Sequence, residues 1–195
     1  MDSTFVSLDT ETLGVGPNAP IIELGVVMAD WMAGKTLNAF HSYVIHGSYD
    51  NCEPYAMSMH PIILRRIATR EPGWRYTHID DLALEFQTWL NKCGNKREKL
   101  VVAGKNVANF DLPRLSSQCK NWDSLIKIHR RVMDPSMLFW HPNEDELPPG
   151  LSKCQERSGQ DSQVKHTALE DAMSVAQMIF VAVGRRLSPI DFFGE

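Results

Sequence analysis

No apolar run in this 195-residue chain approaches the ~20 residues a helix needs to cross a bilayer; the longest, such as IIELGVVMA and MIFVAVG, stop well short. A basic stretch leading into an apolar one is also missing near Met1, so the expectation is a cytoplasmic protein with no export signal and no membrane contact. Cysteine is scarce. Cys52, Cys93, Cys119 and Cys154 lie far apart with no CxxC pair, which argues against a disulfide framework and a cysteine zinc site and leaves reduced thiols. Charge of one sign is lacking too: a net charge of −4 gives no bulk attraction to nucleic acid, although that count includes any acids engaged in holding metal. Internal repeats and low-complexity tracts are absent. What is there, with 43% hydrophobic residues, is enough for one substantial core and short for two, hence a single domain over 1–195.

The turn-rich GVGPNAP and the DWMAGK segment separate three strand-like runs, Phe5 to Glu11, Ile21 to Ala29 and Leu37 to Ile45. Connections this short favour antiparallel neighbours. Helical spacing follows over 61–69 and 79–92, the second repeating Leu82, Phe86, Trp89 and Leu90 along one face, with REPGWRYTH between them read as a loop. LVVAG at 100–104 is a short strand, a helix begins near Leu112, and IKIHRRVMD at 126–134 is expected as another strand. A surface loop, HPNEDELPPG, precedes a short helix near 151–158 and a long closing helix from Ala168 to about Arg185. That order predicts an α/β fold, a mixed five-stranded sheet flanked by helices, made of a three-strand antiparallel meander plus two parallel strands.

In FVSLDTETLG, Asp9 and Glu11 stand two apart, so both project to one side if the strand persists through Glu11. Paired carboxylates repel, and stay ionised at neutral pH only where a cation or strong donors compensate them. The plainer alternative is a strand end emerging into water, with Asp9 capping the turn and Glu11 solvated. In KHTALEDAMSVAQMIFVAVG, Thr167 and Glu170 have the spacing of a capping box, which starts the helix near Ala168 and leaves His166 just outside it, a position also ordinary for a surface or capping histidine. Asp171 falls within the apolar face marked by Ala168, Ala172, Val175, Ala176, Ile179 and Val183. An acid there is costly unless paired or metal-bound, yet a first-turn aspartate at the margin of that face, favoured by the helix dipole, fits the same position. Asp111, in GKNVANFDLPRL, looks like an N-cap before Leu112 and Pro113; it also lies just past a strand end, where ligand sites of α/β folds gather.

Taken in order, LDTETLG, GKNVANFD and HTALEDA resemble the three motifs of the DnaQ-like family, the DEDDh 3′-to-5′ exonucleases with an RNase H-like fold, over residues 5 to about 180. GLSKCQERSG resembles the short helix that members of the family carry between the second and third motifs. RVMDPSML resembles the strand and turn whose aspartate, here Asp134, is structural. Histidine five before the last aspartate matches the DEDDh branch, since the sister branch has tyrosine four before it. The resemblance implies that Asp9, Glu11, Asp111 and Asp171 hold two divalent ions, Mg²⁺ or Mn²⁺, and that His166 is the general base. It places Thr12 and Leu13 beside the terminal nucleotide, with Leu13 as a wedge on the last base, and Asn109 and Phe110 are expected to bind substrate with them. The partner implied is the 3′ end of single-stranded nucleic acid, and a homodimer is within the family's range.

Water attacking a phosphodiester builds negative charge on the phosphate oxygens, and two ions about 3.5–4 Å apart offset it on the attacking and leaving sides. Hard ions of this kind take carboxylate oxygens. An imidazole of ordinary pKa near ~6.5 can receive the water's proton. Phe110, Trp74 and Trp140 are candidates for stacking on bases, and Lys105, Arg114, Lys153 and Lys165 for contacting phosphates. The expected function is a metal-dependent 3′-to-5′ exonuclease that releases nucleoside 5′-monophosphates from single-stranded DNA, RNA or short oligonucleotides. Two other expectations compete with it, a catalytically silent nucleic-acid-binding domain of the same fold and an endonuclease of the RNase H type.

Overall fold

Alternation along the first strand sorts the chain into two layers. In the computed structural model, which describes residues 2–95, 97–161 and 167–187, β1 (Thr4–Thr12) sends Val6 and Leu8 to one side of a sheet and Phe5, Asp9 and Glu11 to the other. β2 (Ile21–Asp30) and β3 (Lys35–Ile45) follow antiparallel, completing the meander predicted from the short connections. β4 (Tyr76–His78) joins parallel to β3 and β5 (Val102–Ala103) parallel to β1, so the order is β4-β3-β2-β1-β5.

The sheet has five strands, but its two parallel members are not both the expected ones. REPGWRYTH, read as a loop, supplies β4: Pro72 and Gly73 dominate that stretch, and three paired residues are too few to show a period. The expected strand at 126–134 touches the chain around β5 only through isolated bridges, Leu100 to Ile128 and Ala103 to Met133. A local turn interrupts the run, with the Arg131 N–H donating to His129 Nδ1 at 3.1 Å.

The face of Val6 and Leu8 is covered by α3 (Leu82–Lys92), α4 (Asp111–Gln118) and α5 (Trp122–Leu125), where Phe86 stacks on Trp122 with centroids 5.6 Å apart. Two short helices opened by proline at the first position, α1 (Pro54–Met59) and α2 (Pro61–Thr69), lie over the end of β1; Ile63 and Ile67 pack there against Leu13, Ile22 and Tyr43. On the other face α6 (Pro135–Leu138) and α7 (Leu151–Ser158) flank the long α8 (Ala168–Leu187). Ala172, Val175, Ala176 and Ile179 of α8 bury against Phe5, Val27 and Ala29. Among the described residues no helix is long and apolar enough to cross a membrane.

Candidate active site

Helix α8 reaches the sheet so closely because β2 carries no side chain beneath it. A Cβ on Gly25 would lie 2.2 Å from Leu169 N and 2.3 Å from the Ala168 carbonyl carbon. The helix start is fixed by two devices. Thr167 and Glu170 bond each other, Thr167 Oγ1 donating to Glu170 Oε2 at 2.7 Å and accepting from the Glu170 N–H at 3.4 Å. Glu23 on β2 then accepts the Ala168 N–H at 3.0 Å, so a buried carboxylate from another element caps the helix. The other oxygen of Glu23 lies 2.5 Å from His41 Nε2 on β3.

This seating turns the first turn of α8 toward the end of β1. Asp9, Glu11 and Asp171 each offer a carboxylate oxygen within 4.8 Å of the others, a spacing that can hold a metal ion. Asp111 comes from the opposite flank. The ladder between β1 and β5 stops at Ser7 and Ala103, and the Thr10 N–H, next on that edge, is taken by Asp111 Oδ1 at 2.9 Å, with Thr10 Oγ1 donating to the same oxygen at 2.6 Å. Asp111 therefore does not cap its own helix, the alternative open from sequence; Phe110 holds the cap position without a side-chain bond.

Crowding of acids on one face has an electrostatic consequence. Burial, then repulsion from Asp111, Glu11, Asp171 and Glu23, holds the Asp9 carboxyl well above the usual carboxylate range. Glu11 is pushed up to about 8 by burial and by Glu23, Asp171 and Asp111, and burial takes Asp111 to about 6 against the opposing bonds from Thr10. Three acids driven to keep their protons, with Asp171 beside them, are a site waiting for positive charge.

Glu23 is the residue that sequence reasoning missed, together with His60, whose Nε2 lies 3.5 Å from Glu11 Oε2. Glu23 sits directly across from Glu11 in the β1 to β2 register, and in sequence it is one acid in the apolar run IIELGVVMA. A charged residue inside such a run was the available signal. His60 carries none, standing between two short helices that each begin with proline.

The residues expected at the terminal nucleotide divide. Asn109 is exposed and Phe110 half-buried beside Asp111. Thr12 turns its hydroxyl back to Gly14 O at 2.8 Å. Leu13 is 1% exposed and packs beneath α2, so it is a core residue here and not the wedge the resemblance implied. Arg114 is likewise spent: buried, it spans the carbonyls of Phe110, Val15 and Gly16 and lies 3.5 Å from the Phe110 ring centroid, which bars it from the phosphate role. Lys153 of α7 pairs with Asp145 at 2.6 Å, tying the 141–149 loop to that helix, and Trp140 donates to Asp145 O at 3.2 Å, closing the loop on its own first turn. Asp134 caps α6 through Ser136 and accepts the Asn106 N–H at 2.8 Å, the structural part expected of it. His166 and Lys165 lie outside the described residues.

A family model described as a 3′-5′ exoribonuclease Rv2179c-like domain matches residues 4–183. No curated protein matches the sequence. Among solved structures, the zinc-bound form of the E. coli exonuclease I complex with single-stranded DNA aligns with a TM-score of 0.69 at 16% identity, over 97% of this chain and 42% of that one. Another exonuclease I structure gives 0.71 at 15% identity, over 97% and 43%. Cell-death related nuclease 4 gives 0.66 at 19% identity, over 93% and 64%. The chain has the RNase H-like fold of these nucleases while spanning less than half the length of exonuclease I.

Proposed function

The chain belongs to the family of 3′-5′ exoribonuclease Rv2179c-like domains, and on that premise we propose that it shortens single-stranded RNA or DNA from the 3′ end by metal-dependent hydrolysis, releasing nucleoside 5′-monophosphates. One observation carries this reading. Acids from the first strand and the last helix bring ligand oxygens within 4.8 Å of one another, and a fourth acid stands beside them. The family's description supports RNA as the preferred substrate.

The donor set is all carboxylate, and burial followed by mutual repulsion raises the carboxyls of Asp9 and Glu11, which suits hard divalent cations such as Mg²⁺ or Mn²⁺. When bound, a pair of such ions would stabilise the charge growing on the attacking and leaving oxygens. Asp9, Glu11 and Asp171 are the ligands, with Asp111, anchored by Thr10, as the fourth. His166, two residues before α8 begins, takes the proton of the attacking water as the general base of the DEDDh arrangement. Asn109 and Phe110 border the site on the β5 side and contact the terminal nucleotide.

A time course on a 5′-labelled single strand tests the proposal. The expected product is a ladder that shortens from the 3′ end with Mg²⁺ or Mn²⁺ and disappears with a chelator. Internal cuts would instead mean an endonuclease, and no metal-dependent product a silent binding domain.

The raised carboxyls predict how the metal-free protein responds to pH. Between the ordinary range near ~4 and values of about 6 for Asp111 and about 8 for Glu11, the folded chain carries protons that the unfolded chain has released. Stability without metal therefore falls as pH rises through that window. Divalent ions compete with those protons, so the rise in melting temperature on adding Mg²⁺ or Mn²⁺ should be small at the acid end and grow toward the alkaline end. Melting curves at matched ionic strength measure both trends; a metal effect independent of pH would contradict the assignment of these acids as ligands.

A further inference from the structure

Beyond the carboxylates, the same face of the sheet carries a row of rings. Across the strands Glu11 stands opposite Glu23, Glu23 opposite Tyr43, and Tyr43 opposite Tyr76, so Tyr43 lies two strand spacings, roughly 10 Å, from Glu11. Trp74, in the turn before β4, closes over this row, its ring centroid 5.6 Å from both His41 and Tyr43. It is 40% exposed, more than any other tryptophan among the described residues. The guanidinium of Arg66 stacks on it 4.0 Å from the centroid and donates to the Tyr43 hydroxyl at 2.6 Å, which fixes the indole in place.

The surroundings of Trp74 are cationic in a chain that is acidic overall. From Arg65 to Tyr76 four arginines accompany a single acid, Glu71. Arg65 and Arg75 are 62% and 50% exposed, and Arg70 lies over the Tyr76 ring at 5.5 Å. Arg75 turns to the other face of the sheet, over the Phe40 ring at 5.0 Å and 3.8 Å from Glu85. Glu71 lies 3.3 Å from Arg65 and 3.7 Å from Arg66, so Arg65, Arg66 and Arg70 leave positive charge in excess. An exposed indole backed by a guanidinium, on an arginine-rich segment, matches the chemistry of a single strand, whose bases present flat π-faces and whose phosphates carry the charge.

Position agrees with composition. In the sheet order β4-β3-β2-β1-β5, Asn109 and Phe110 lie on the β5 side of the carboxylates and Trp74 on the β3 to β4 side. A strand with its 3′-terminal nucleotide at Phe110 crosses the carboxylates and continues toward Trp74. We propose that Trp74, backed by Arg66 and with Arg65 and Arg70 on the same segment, is the platform on which a base upstream of the cleaved bond stacks. The platform rests on the exonuclease reading above, and it makes affinity depend on substrate length.

The test compares kcat/KM on a dinucleotide, too short to span from Phe110 to Trp74, with that on a 5′-labelled 12-mer, for wild type, Trp74→Ala and Trp74→Phe. Losing one stacked base corresponds to roughly 10-fold or more, so Trp74→Ala should lower kcat/KM on the 12-mer by that factor through KM. The preference of wild type for the longer substrate should be lost in Trp74→Ala, and Trp74→Phe should recover most of it. A penalty equal on both substrates, or none on the 12-mer, overturns the platform while leaving the exonuclease intact. Wild type inactive on both substrates sinks the exonuclease reading itself. A change of oligomeric state in Trp74→Ala on size exclusion assigns the surface to a subunit contact and overturns the platform.

Discussion

Asp9→Asn is expected to abolish hydrolysis and, without metal, to make the protein more stable. The activity loss follows from removing a ligand shared by the site: several kcal/mol of charge stabilisation corresponds to a rate loss of about 10³-fold or more. More than a few per cent of the wild-type rate in the same Mg²⁺ would remove Asp9 from the ligand set. The stability gain has a separate cause. In the folded chain burial and then the carboxylates of Asp111, Glu11, Asp171 and Glu23 hold the Asp9 carboxyl well above its ordinary range. Asparagine has the shape of the protonated acid and never ionises, so the cost that wild type meets as pH rises is absent from the variant. The two proteins should melt closest together below about pH 4, and separate as pH rises toward 8, by ~2–4 °C for each kcal/mol in a chain of this size. Adding Mg²⁺ should reverse the order, since only wild type keeps the full set of acids. A variant that melts below wild type at pH 8 without metal would show that Asp9 is held by some compensating partner and is not the centre of a repulsive cluster.

Gly25→Ala should destabilise the fold and slow the reaction together, although it alters no acid. The added methyl would meet backbone, Leu169 N at 2.2 Å and the Ala168 carbonyl carbon at 2.3 Å, and backbone cannot rotate aside. α8 must lift at its first turn. That movement stretches the Ala168 to Glu23 hydrogen bond, now 3.0 Å, and carries Asp171 away from Asp9 and Glu11. Overpacking of this kind costs about 1–3 kcal/mol, more where relaxation is blocked, and a displacement near 1 Å at a catalytic group costs about 10²-fold in rate. Gly47→Ala is the control, because a Cβ there meets nothing within 4 Å. Melting temperatures and initial rates for the two variants decide the matter. Full activity and an unchanged melt for Gly25→Ala would show that α8 is not seated on β2 as described.

Much of this site was legible before any coordinates. Asp9 and Glu11 two apart on a strand had to share a side, and the Thr167 and Glu170 spacing had to start a helix at Ala168, because both rules act within a few residues of one chain segment. The helix indeed runs from Ala168 and the two acids do face Asp171. β4 was not legible: its three residues are a strand only because β3 presents an open edge beside them. The strand expected at 126–134 failed for the converse reason, its apolar residues meeting a neighbour too short to sustain a ladder.

The sequence by itself determined the kinds of groups present and their local aim: two acids on one strand face, an acid in the first turn of the last helix, a meander at the front. Tertiary structure alone decided which of them meet and on what terms. Leu13, adjacent to the first motif, is a core residue because α2 folds over it; Arg114 is consumed by three carbonyls; Glu23, unmarked by any motif, caps α8 and adds to the charge against Glu11. The physical reason is range. Periodicity and capping are set by neighbours a few positions away, whereas burial, carboxylate repulsion and the seating of a helix on a glycine arise between residues far apart in sequence, and exist only once the sheet has brought them within a few ångströms.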